Sequence, residues 1–85
     1  MSADVLVIDD DEGVRVATEH MLGTRNYQVQ TASSGAQGLE MCARQMPELI
    51  LLDLRLPDMD GMEILRHLKE MDLDCKVVMI TAYNT

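Results

Sequence analysis

Three times in this 85-residue chain, a run of four apolar residues ends on an oxygen-bearing side chain. Val5–Ile8 leads into Asp9-Asp10, Leu49–Leu52 into Asp53, and Val77–Ile80 into Thr81. None of the runs alternates with polar residues, so each suits a strand buried on both faces, as in a parallel sheet covered by helices. Pro57 and Gly61 break the chain after Asp53, which puts that carboxylate at the carboxyl end of its strand. In open α/β sheets, ligands bind beyond that edge.

The segments between the runs read as helices. From about Glu12, the residues Val14, Ala17 and Met21 form one apolar stripe, with Asp11 as N-cap and Gly23 as the stop. Tyr27–Thr31 alternates and reads as a less buried strand. Ser34 with Gln37 is a capping-box signature; its helix carries Ala36, Leu39, Ala43 and Met46 on one face, and Pro47 ends it. Asp60-Gly61 opens a third helix with Ile64, Leu65 and Leu68 turned inward. The order is then β-α-β-α-β-α-β, which calls for right-handed crossovers and a parallel α/β sheet. Residues 1–85 read as a single unit, without repeat or linker.

In a parallel sheet the three run ends share one edge, so Asp9, Asp10, Asp53 and Thr81 converge there if the strands are neighbours. Clustered carboxylates repel one another unless a cation sits among them, and carboxylate oxygens suit a hard ion such as Mg²⁺. An acid pair for metal, an Asp nucleophile and a hydroxyl for a phosphoryl oxygen are the parts of a phosphoryl-transfer site. Asp9–Asp11 taken by themselves would be caps and solvated charge. The matching ends at Asp53 and Thr81 turn Asp9 and Asp10 into ligand candidates and leave Asp11 a cap. Asp58, Asp60 and Gly61 resemble part of a calcium loop, but Leu56 and His67 fall at its end positions, so the frame fails.

Asp9-Asp10 after an apolar strand, Asp53 in "LLDLRLPDMDG" and Thr81-Ala82 in "VVMITAYN" resemble the receiver domain of two-component response regulators. The resemblance covers the whole chain. Its wording is most similar to receivers of nitrogen-regulation-type transcription activators. It implies a flavodoxin-like (CheY-like) sheet of strand order 2-1-3-4, with the last helix–strand–helix of a full receiver lying past Thr85. It implies Asp53 as phosphoacceptor from a sensor histidine kinase, and Mg²⁺ held by Asp9, Asp10, Asp53 and the backbone carbonyl of Arg55. Thr81 would contact the phosphoryl group, while Arg55 and Tyr83 stand where phosphoryl lifetime is tuned. The fifth-strand lysine of the family has no counterpart here: His67, Lys69 and Lys76 do not fall at its position. An output domain, with control of transcription, would lie elsewhere in the protein.

Fifteen acidic against seven basic residues give a net charge of −8, which argues against direct nucleic-acid binding. No apolar run is long enough for a membrane span and no secretory signal opens the chain, so the expected location is the cytoplasm. Cys42 and Cys75 read as small apolar fillers, and His20 and His67 as surface residues. Without a fifth strand, the Val77–Ile80 edge would invite self-association or domain swapping. Two other functions compete with the receiver reading. One is an aspartate-nucleophile phosphohydrolase using Asp9 and Asp11; the other is a receiver fragment that self-associates and does not signal.

Overall fold

The computed structural model describes residues 4–71 and 75–80, so Thr81 and Tyr83 lie outside the described residues. The elements are β1(Asp4–Ile8), α1(Glu12–Gly23), β2(Gln28–Ala32), α2(Gly35–Arg44), β3(Leu49–Asp53), α3(Gly61–Glu70) and β4(Lys76–Ile80). All neighbouring strands pair in parallel, in the order β2-β1-β3-β4. This is the flavodoxin-like order that the family resemblance implies. Its consequence for the site lies in the register: Ile8 pairs with Leu52, and Asp53 pairs with Ile80. The residues that follow Ile8 and Leu52 therefore emerge side by side.

One face of the sheet forms the core. Leu6, Ile8, Ala32, Ile50 and Leu52 meet Cys42 of α2 and Ile64 and Leu68 of α3, with Val77 and Met79 packed against them. On the opposite face α1 lies over β1 and β2. There Val5 and Val7 are buried, whereas Val78 is 48% exposed and Ile80 39%. The Val77–Ile80 run is thus not the fully buried strand its composition suggests. Its residues alternate between half-buried and exposed because one of its faces has no described helix over it.

Two helices turn a different face inward from the one their apolar residues mark. In α1 no residue is buried, and Val14 and Met21 are exposed. Its least exposed positions are Arg15, Thr18 and Leu22, one step round from the predicted stripe. In α2 the buried residues are Gly35, Gly38 and Cys42, while Ala36 and Ala43 face solvent. The reason is close approach. A Cβ on Gly38 would stand 2.5 Å from Cδ1 of Ile8, so the helix rests on β1 through a position that has no side chain. In α3 the prediction holds for Ile64 and Leu68, which are buried, and Leu65 is half-buried.

The helix starts follow the sequence. Asp11, Ser34 and Asp60 each accept the amide N–H three residues on, from Val14, Gln37 and Glu63. Gln37 Oε1 accepts from the N–H and hydroxyl of Ser33, one residue before the N-cap, and not from the Ser34 N–H that a capping box would use. The α1 helix does end at Gly23. The left-handed residue of the following turn is Asn26, at φ 67°, a conformation Asn tolerates better than most residues.

Candidate phosphoacceptor site

Asp9 and Asp53 stand where β1 and β3 reach the carboxyl edge, and each is only 6% exposed. Asp9 continues the ladder, donating its N–H to the Ala32 carbonyl at 3.0 Å. Its Oδ1 accepts the Asp11 N–H at 2.9 Å, and its main-chain carbonyl accepts from the Arg15 guanidinium at 2.8 Å. Asp53 Oδ1 accepts the Arg55 N–H at 3.1 Å. Asp10 is exposed on the rim. One carboxylate oxygen from each of Asp9, Asp10 and Asp53 lies within 4.8 Å of the others.

Such crowding has an electrostatic cost. Two full charges at that separation repel by roughly 3 kcal/mol at an effective dielectric near 20, and by less where solvent reaches the rim. Burial pushes the Asp9 carboxyl above its ordinary pKa, and repulsion from Asp53, Asp10 and Asp11 adds to this against the opposing Asp11 hydrogen bond. A hard cation would relieve both effects. Two buried carboxylates with a third open to solvent match what Mg²⁺ takes, one or two carboxylates plus waters and phosphate oxygens.

The β3–α3 loop that follows Asp53 is held along its length. Leu54 donates to the Ile80 carbonyl at 3.2 Å, Arg55 bridges to Asp60, and Gly61 donates back to the Leu54 carbonyl at 3.1 Å. Asp58 reaches across to α2, its two carboxylate oxygens accepting the Gly35 and Ala36 N–H groups at 2.9 Å each. A groove of about 260 Å³ bordered by Asp4, Gln28, Gln45 and Pro47 lies at the opposite end of the strands and takes no part in the site.

The sequence therefore located Asp9, Asp10 and Asp53 at one point, with Arg55 beside Asp53. Thr81, which follows β4, falls outside the described residues. Two interactions were not legible in the sequence. Arg15 stands in a helical pattern where hydropathy marks its neighbours, and no spacing rule links Asp58 to Gly35.

The family profile of the response regulator receiver domain matches residues 5–85. The chain belongs to the response regulator receiver family. This receiver is 36% identical over 83 residues to sporulation initiation phosphotransferase F of Bacillus subtilis, covering 98% of this chain and 67% of that protein. It is 39% identical over 80 residues to the transcriptional regulatory protein AfsQ1 of Streptomyces coelicolor, covering 94% of this chain but 35% of that protein. The receiver thus spans about two thirds of one relative and about a third of the other. A receiver domain protein from Methanospirillum hungatei superposes with a TM-score of 0.93 at 29% identity, over all of this chain and 68% of that one. Response regulator TrrA of Thermotoga maritima, solved in complex with Mg²⁺–BeF, gives 0.90 at 27% identity, over 99% of this chain and 72% of that one. The expected likeness to nitrogen-regulation-type activators is not supported; similar relatives include the sporulation phosphotransferase, AfsQ1 and MprA.

Proposed function

We propose that this receiver takes a phosphoryl group from the phosphohistidine of a sensor kinase onto Asp53, in a Mg²⁺-dependent reaction. The observation that carries this reading is the meeting of Asp53 with Asp9 and Asp10 at the carboxyl edge of a receiver sheet. A carboxylate oxygen of Asp53 attacks phosphorus, the P–N bond breaks, and its electron pair returns to the imidazole ring. Asp9, Asp10, Asp53 and the Arg55 carbonyl would hold the ion, which when bound neutralises charge on the transferring group. Arg15 steadies the Asp9 main chain from α1. Thr81 contacts a phosphoryl oxygen, and Tyr83 and Arg55 tune the lifetime of the product. The TrrA complex with Mg²⁺–BeF supports the choice of ion and ligand.

In this reading residues 1–85 form part of one receiver domain that signals and does not turn over a substrate. It acts in the cytoplasm through an output domain in the full protein, and the transcriptional regulator among its relatives supports a gene-control output. No helix among the described residues is long and apolar enough to cross a membrane, and the −8 charge sets the receiver itself apart from nucleic acid. The phosphohydrolase alternative loses its acid: the Asp11 carboxylate accepts the Val14 N–H as a helix cap and lies outside the carboxylate cluster.

The test is incubation of the full natural chain with acetyl phosphate and Mg²⁺, followed by intact mass. A gain of one phosphoryl group that Asp53→Asn abolishes is expected. An unchanged mass in the wild type overturns the reading. For the 85 residues taken alone, the edge position and exposed face of β4 favour self-association. Sedimentation should then show mass rising with concentration, and a monomer at all concentrations would refute this.

A further inference from the structure

The four amide donors that open α2 are all accounted for, and two of them go to a residue far away in sequence. Gln37 donates to the Ser34 hydroxyl as a local cap, and Gly38 to the Ser34 carbonyl as the first bond of the helix ladder. Gly35 and Ala36 instead donate to the two carboxylate oxygens of Asp58, across 23 and 22 residues of chain. Asp58 sits in the middle of the β3–α3 loop, between the ends already held at Asp53–Arg55 and Asp60–Gly61. Next to it, Met59 packs so tightly over Gly35 that a Cβ there would stand 2.8 Å from its Sδ. The loop thus meets α2 through a two-pronged hydrogen bond and a fitted side chain.

We infer that Asp58 is a positioning residue: it couples the phosphoacceptor loop to the start of α2 and so sets the Arg55 peptide for ion and phosphoryl binding. The inference rests on the function proposed above only for the identity of the ligand. The physical reason is the shape of the loop. Its Asp53 end is tied to β4 through Leu54, its Gly61 end folds back on Leu54, and its bend meets α2 at Asp58 and Met59. A carboxylate that accepts two parallel N–H bonds from a helix start also fixes the angle of approach, which one bond would leave open. The dipole of α2 strengthens both bonds. Linkage makes the coupling reciprocal: ligand at Asp53 must tighten the Gly35 and Ala36 bonds by as much as those bonds favour the ligand.

The experiment compares Asp58→Ala with Ser34→Ala in the full natural chain. Both remove α2 cap bonds, but only Asp58 joins the helix to the loop. Without metal, amide exchange should quicken at Gly35 and Ala36 in Asp58→Ala, and at Arg55 and Gly61 as well. In Ser34→Ala the loop amides should keep wild-type rates. Calorimetric Mg²⁺ affinity should fall roughly tenfold in Asp58→Ala, the low end for residues that orient metal ligands, and stay within about twofold in Ser34→Ala. Added Mg²⁺ should slow exchange at Gly35 and Ala36 in the wild type. Loop amides unaffected by Asp58→Ala, or equal affinity losses in both variants, would overturn the inference. A wild type that binds no Mg²⁺ counts against the proposed function, and the metal-free exchange comparison then decides this inference by itself.

Discussion

The two faces of the sheet are built from similar strand residues and end in different states. On the α2–α3 side Ile50, Leu52 and Ile64 are fully enclosed, and glycine at position 38 lets α2 settle onto Ile8. On the α1 side, the row Val7–Leu51–Val78 runs from buried under α1 to half-exposed at β4. The difference shows that a hydrophobic strand only reports a wish for burial. Which face achieves it depends on where the helices land. It also explains why α1, although it borders the acid site, contributes a hydrogen bond from Arg15 and no buried side chain.

Breaking the closed face should cost most. Ile64→Ala empties a fully enclosed position and should lower stability by about 2–5 kcal/mol in urea titration, whereas Val78→Ala on the open face should cost less than about 1 kcal/mol. Equal losses would mean that the faces are equally covered in the full natural chain.

A second variant probes the close approach itself. Gly38→Ala should destabilise by about 1–3 kcal/mol through contact with Ile8, and the double variant with Ile8→Val should recover part of the loss. A neutral or stabilising Gly38→Ala, the usual outcome on an exposed helix face, would show that α2 rides higher than described.

The smallest effect belongs to the link between loop and helix. Backbone hydrogen bonds from Ala36 and Gly35 hold the Asp58 carboxyl below its ordinary value of 3.8. Because its folded pKa is depressed, its contribution is complete above the unfolded value and disappears as pH falls through the folded one. Amide shifts of Gly35 and Ala36 should therefore stay constant down to about pH 4 and move together below it. A midpoint above 3.8 would contradict the paired bonds.

Much of the site could be read from the chain because it depends on local rules. An apolar run followed by an acid places that acid at a strand end, and a Pro/Gly-rich loop keeps the chain from continuing. The caps at Asp11 and Ser34 were legible for the same reason, since each bond spans three residues. The inward faces of α1 and α2 were not. Hydropathy favours the larger apolar residues, while the packed positions turned out to be Arg15, Thr18 and Leu22 in one helix, and Gly35, Gly38 and Cys42 in the other. Cys42 does sit in the core as a small filler, and burial pushes its thiol up to about 11.

By itself the sequence determined the alternation of strands and helices, and with it a parallel sheet whose carboxyl edge carries Asp9, Asp10 and Asp53. Periodicity and capping act over a few residues, so they survive without knowledge of the whole. The family resemblance already placed β1 beside β3; only the tertiary structure gave the register that brings those carboxylates within 4.8 Å. It alone decided that Asp58 closes on α2. Those outcomes depend on which surfaces meet across 20 or more residues of chain, and no local preference encodes the distance at which two helices and a sheet come to rest.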